Sequence, residues 1–167
     1  MTASTPLARS PSDVVALADL LRAKGWKMCT AESCTGGMIG AACIDLAGSS
    51  DWFDRGWITY SNTAKVEELG VPLRDIRSEG AVSEVVARAM VAGAVTRAKQ
   101  AVGVAVTGVA GPGGGSADKP VGTVWFAWSV QGQVHAECQR FDGDRSAVRQ
   151  ATLAHALRVL RERVAAA

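Results

Sequence analysis

The seven residues Ala101 to Thr107, reading AVGVAVT, carry no polar side chain before the final threonine. A strand of that composition offers no face to water, so it needs cover on both sides, as in a sheet sandwiched between helices. The rest of the chain can supply that cover. Val14, Leu17, Ala18 and Leu21 recur at helical spacing behind Ser12 and Asp13, both good caps, and Gly25 ends the run after Lys24. Ser83 to Lys99 is a long helix rich in Ala, Val and Gly, and beyond Asp144 the residues Leu153, Leu157, Leu160 and Val164 line one helical face. Trp26 to Ala31 suits a short buried strand, followed by the turn Glu32 to Thr35 and a small-residue helix from Gly36 to Leu46. Gly56 to Ser61 suits a further strand, with Asn62 placed to cap a helix through Lys65 to Leu69. Val121 to Val130 and Val134 to Phe141, separated by three residues centred on Gly132, predict an antiparallel hairpin. The expected fold class is α/β: a three-layer α/β/α sandwich around a mixed, mostly parallel sheet of about five strands with a C-terminal hairpin.

A chain of 167 residues is sized for one domain, expected over residues 12–167, with Met1 to Pro11 a loose arm that has no apolar stretch suited to a secretory signal. The net charge of +2 comes from acidic and basic residues interspersed along the chain, so no basic stripe marks a nucleic-acid partner. Nowhere do 18 apolar residues run together, and a membrane span is not expected. Cys29, Cys34, Cys43 and Cys138 form no C-x-x-C pair, so reduced thiols and a cytoplasmic address are the expectation. Neither these cysteines nor the two histidines, His135 and His155, show ligand spacing, and no metal or cofactor is expected. Small-residue helices leave room for a homo-oligomer, with a dimer favoured.

The strand-ending loops are where α/β folds hold ligands. Ser33 lies where a strand turns into a helix opening on Thr35, Gly36 and Gly37, whose bare N–H groups could hold an oxyanion while Ser33 attacks a carbonyl. Equally, Ser33 could simply cap that helix. A Ser-His-Asp triad is unfavoured with so little histidine, and no G-x-S-x-G elbow surrounds Ser33. Lys65, third in a helix capped by Asn62, could have its pKa lowered by the helix dipole and serve as base, with the Tyr60 phenol between it and Ser33. Taken singly, Lys65 reads as a solvated helix lysine and Tyr60 as a strand aromatic. Cys34 is a rival nucleophile without a partner histidine. The loop Gly108 to Gly115 could bring backbone close to a phosphate or sugar, but it matches neither a P-loop nor G-x-G-x-x-G and could be merely flexible. Arg145 could add a fixed charge.

Ala31-Glu32-Ser33-Cys34-Thr35-Gly36-Gly37, Tyr60-Ser61-Asn62 with Lys65, Gly80-Ala81-Val82-Ser83, Gly108-Val109-Ala110-Gly111-Pro112 and Lys119-Pro120-Val121-Gly122-Thr123 together resemble the CinA C-terminal domain, over about residues 12 to 163. That resemblance implies an α/β/α fold and hydrolysis of nicotinamide mononucleotide to nicotinate mononucleotide and ammonia. It further implies a centre of Ser33, Lys65 and Tyr60 with no metal, and substrate contacts in the segments of Thr107, Gly108, Gly111 and Arg145. The alternative is a non-catalytic pyridine-nucleotide-binding module. A Tyr-Lys reductase is set aside, because it wants Tyr-x-x-x-Lys and Tyr60 and Lys65 are five apart.

Overall fold

The computed structural model describes residues 12–167; the arm expected at residues 1–11 lies outside the described residues. In chain order the elements are α1 (Ser12–Lys24), β1 (Met28–Glu32), α2 (Met38–Ile44), β2 (Phe53–Ile58), α3 (Asn62–Leu69), α4 (Leu73–Glu79), α5 (Glu84–Ala98), β3 (Val102–Gly108), β4 (Thr123–Val130), β5 (Gln133–Arg140) and α6 (Arg145–Ala166). The strands form one sheet in the order β2-β1-β3-β4-β5. β1 pairs in parallel with β2 and with β3, and β4 pairs antiparallel with β3 and with β5, so β4 alone opposes the other four.

The run that demanded double cover becomes β3, and its alternation shows how the cover is achieved. Val102, Val104 and Val106 enter the core shared with α1, α2 and α6, whereas Ala105 enters the core shared with α3, α4 and α5. Gly103 faces that second layer at the tightest point: a Cβ there would lie 2.5 Å from Cγ1 of Val95. Small residues on this face let α5 close on the sheet, and bulky valines fill the other. On the first face Leu157, Leu160 and Val164 of α6 are buried with Val14, Leu17 and Leu21 of α1, each such side chain contributing about 1.5–3 kcal/mol by leaving water.

Three expected boundaries shift. β2 begins at Phe53 and ends at Ile58, several residues before the expected Ser61, because Thr59 to Ser61 leave the sheet to start α3. The helix α4, Leu73–Glu79, follows Pro72 in a stretch to which the sequence assigned no element. The hairpin turn holds two residues, Gln131 and Gly132, both at positive φ (50° and 80°), which matches the twist of the flanking strands. No helix among the described residues is long and apolar enough to cross a membrane.

Candidate active site

Because β1, β2 and β3 are parallel neighbours with β1 between the others, their carboxyl ends lie side by side. The crossover after β1 runs through α2 on one face of the sheet and the crossover after β2 through α3, α4 and α5 on the other, which opens a crevice there. The Ser33 amide donates to Val106 O at 3.1 Å and the Thr59 amide to Glu32 O at 2.9 Å, so the sheet ladder carries into the three loops. Ser33 is 7% exposed.

Glu32, read from the sequence as a turn residue, ends β1 as a buried carboxylate. It accepts from Thr35 Oγ1 (2.7 Å) and from the amides of Gly37 (3.0 Å), Ile39 (3.0 Å) and Gly40 (2.8 Å). Those are the orphan donors of the α2 N-terminus, so this end of the helix is capped from within by an anion. The expected oxyanion site at Thr35 to Gly37 is thereby altered, since the Gly37 amide is spent on Glu32 and the Gly36 amide donates to Ser33 O at 3.1 Å. Gly36 and Gly37, at φ 59° and 97°, make the tight entry possible. Glu32→Ala would strand three amides and a hydroxyl; at about 1–3 kcal/mol for each orphaned buried donor, a loss of at least ~3 kcal/mol is expected. Calorimetry should record it as a melting temperature lower by about 6–12 °C, and an unchanged transition would show that the cap is dispensable.

Lys65 is 1% exposed, and its Nζ lies 2.9 Å from Ser33 Oγ, 2.7 Å from Thr59 O and 3.2 Å from Tyr60 O. Burial pushes the ammonium down from 10.5 to about 8, with the neighbouring Cys34 acting weakly in the opposite sense. The expected cause is corrected here. Ser61 rather than Asn62 caps α3, its Oγ accepting from the Ala64 amide at 3.0 Å, so Lys65 is fourth in the helix and desolvation lowers its pKa.

The Tyr60 phenol does not lie between Lys65 and Ser33. It is 63% exposed and accepts from Arg145 Nη2 at 3.3 Å, leaving Tyr60's backbone carbonyl as its contact with the amine. Arg145 also donates through Nη1 to Gly111 O at 2.9 Å, tying α6 to the glycine loop. A cavity of about 310 Å³ joins these groups, lined by Ser33, Tyr60, Lys65, Thr107, Gly108, Gly111 and Arg145, and also by Asn62 and Val82; Thr35, Gly36 and Gly37 are not among its walls. Thr107 Oγ1 donates to Ala81 O at 2.9 Å, and Gly108 has no room for a Cβ, which would meet Val124 Cγ2 at 2.7 Å. Cys34 lines the cavity too, but burial pushes its thiol up to about 11, which keeps it protonated at neutral pH.

Residues 12–164 match the CinA C-terminal domain. The chain belongs to that family. Among CinA relatives, the nicotinamide-nucleotide amidohydrolase PncC of Enterobacter agglomerans is 55% identical over 130 residues, 77% of this chain and 79% of its own length. The protein of the same name from Escherichia coli K12 is 48% identical over 143 residues, 84% and 86% of the two chains. The crystal structure of a CinA superfamily protein from Klebsiella pneumoniae superposes with a TM-score of 0.89 at 38% identity, covering 93% of this chain and 97% of that one. Within this CinA domain, sequence reasoning missed Glu32 and Arg149. The Arg149 guanidinium donates from Nε to Cys34 O (3.0 Å) and from Nη2 to Thr35 O (2.9 Å). Nothing in the sequence near Arg149 distinguishes it from a surface arginine.

Proposed function

We propose that this chain hydrolyses the carboxamide of nicotinamide mononucleotide to nicotinate mononucleotide and ammonia, with Ser33 as nucleophile and Lys65 as its base. The observation that carries the reading is the direct 2.9 Å contact between Lys65 Nζ and Ser33 Oγ in a buried setting. A neutral amine has two N–H groups and one lone pair. The carbonyls of Thr59 and Tyr60 take the two hydrogens, which leaves the lone pair for the serine O–H. The 48–55% identical relatives named for this amidohydrolase support the choice of substrate.

In this mechanism the Ser33 proton passes to Lys65 as the Oγ–C bond forms and the amide oxygen becomes an alkoxide. The amide of Cys34, the residue after Ser33 in the cavity wall, is the donor for that oxygen. That amide meets only its own thiol among the described residues. Collapse breaks the C–N bond while Lys65 returns the proton to the departing nitrogen, giving ammonia and a Ser33 ester. Water then attacks the ester, Lys65 takes one of its protons and hands it to Ser33 Oγ, and the nicotinic acid group leaves and gives its remaining proton to solvent. Arg145 supplies a fixed positive charge for the phosphate, and the glycines from Gly108 onward let the backbone approach the ribose phosphate. We place the protein in the cytoplasm, where its unpaired cysteines would stay reduced.

Ammonia release from nicotinamide mononucleotide, nicotinamide riboside, nicotinamide and NAD tests the reading: the mononucleotide should be preferred. Tight calorimetric binding of the mononucleotide with no ammonia formed would make the chain a pyridine-nucleotide binder instead. Since the Tyr60 phenol sits at the rim with Arg145, Tyr60→Phe should raise KM by about threefold or more and leave kcat within about threefold. A collapse of kcat alone would put the phenol back on the proton path.

A further inference from the structure

The turn after Ser33 is closed by residues from opposite directions. Glu32 takes amides at its helical end, and Arg149, reaching over from α6, takes two successive carbonyls, Cys34 O at 3.0 Å and Thr35 O at 2.9 Å. A trans peptide is planar, so fixing a carbonyl fixes the N–H on the other side of the same plane. The partner of Cys34 O is the Thr35 amide. The partner of Thr35 O is the Gly36 amide, which donates to Ser33 O at 3.1 Å. Of the main-chain groups from the Ser33 amide to the Gly36 amide, only the Cys34 and Thr35 N–H groups have no acceptor among the described residues beyond the Cys34 thiol.

We propose that Arg149 is a positioning residue for the amide hydrolysis, its forked guanidinium locking the Cys34 and Thr35 carbonyls so that the Gly36 amide stays on Ser33 O and the Cys34 amide, on the other side of that Ser33 peptide and in the cavity wall, stays aimed at the developing oxyanion. The proposal rests on the reading of Ser33 as nucleophile. A cationic donor on a carbonyl also polarises its peptide and strengthens the N–H at the far side. Without the fork, Gly36 and Gly37 give the segment freedom to turn over. Lysine cannot replace it, because a single ammonium does not present two coplanar donors at fixed separation.

The test uses Arg149→Met and Arg149→Lys with nicotinamide mononucleotide and its thioamide analogue, whose sulfur fits an oxyanion site poorly. Both variants should lose about 100-fold in kcat with KM within about threefold, the size of effect seen when one oxyanion donor is removed. The preference for the amide over the thioamide should shrink by about tenfold, while the Lys65 limb of the pH profile stays near 8. A kcat within threefold of wild type, an unchanged amide-to-thioamide ratio, or full rescue by lysine would overturn the proposal. Amide hydrogen exchange separates its failure from failure of the hydrolase reading. Gly36 should exchange at least about tenfold faster in Arg149→Met while the β3 amides stay protected. No acceleration removes the clamp whether or not the wild type turns over, whereas a wild type that forms no ammonia removes the hydrolase reading and, where Gly36 still exchanges faster in Arg149→Met, leaves the clamp as a structural contact only.

Discussion

Ser33→Ala is expected to lower ammonia release from nicotinamide mononucleotide by about 10⁴-fold or more, as removal of a serine nucleophile does where base and oxyanion donors act as a unit. Substrate binding should persist, since the cavity walls formed by the glycine loop and Arg145 are untouched. The fold should persist as well. The serine side chain serves the local structure through one hydrogen bond, to Lys65, whereas the Ser33 amide and carbonyl carry the turn through Val106 O and the Gly36 amide. The net worth of that bond is about 1 kcal/mol, so the melting temperature should move by about 2–4 °C or less. Undiminished ammonia release in Ser33→Ala would move the nucleophile elsewhere. Cys34 would be a poor heir, because its buried thiol, held at about 11, is almost wholly protonated near neutral pH.

How far the sequence discloses such a site depends on the range of the interactions that build it. β3 and α5 were legible because a run with no polar side chain can only be covered on both faces. β2 was placed late because Asp54 and Arg55 on an edge strand break the apolar signal, and the apolar and aromatic residues Trp57, Ile58 and Tyr60 beyond them looked more strand-like. α4 was missed because LRDIRSE buries little beyond Ile76. The Ser33 and Lys65 pair was legible from residue chemistry plus the order of motifs, although the route by which Lys65 loses its charge was not. Helix position suggested a dipole, but burial under the β2-to-α3 connection does the work. Glu32 had a local signal that went unused, an acidic residue five to eight positions ahead of the Gly37, Ile39 and Gly40 amides, which need an acceptor at a helix start. Arg149 had none. Its partners are 115 and 114 residues away, and only the packing of α6 against the Ser33 turn brings them together.

Lys65→Met and Lys65→Arg are both expected to reduce kcat/KM at pH 7.5 by about 10³-fold, the range of a lost general base. The two variants fail for different reasons: methionine has no basic atom, and arginine keeps a positive charge but no lone pair, since its guanidinium stays protonated. If charge near Ser33 were all that mattered, arginine would restore the rate. In the wild type, only the neutral amine can accept the serine proton, so kcat/KM should rise about tenfold per pH unit below 8 and level off above it. Both variants should lack that limb. The same titration appears in stability with a defined sign. The folded pKa of about 8 lies below the ordinary 10.5, so between those values the unfolded chain binds the extra proton and unfolding becomes harder as pH rises, by up to ~1.4 kcal/mol per unit. Below pH 8 both states are charged and the full penalty of burying the ammonium persists; above 10.5 it is gone. Denaturant titrations from pH 7.5 to 9.5 should therefore show wild-type stability climbing relative to Lys65→Met. Parallel curves would mean that Lys65 keeps its ordinary pKa of 10.5, and a lysine so rarely neutral at pH 7.5 could not serve Ser33 as a base.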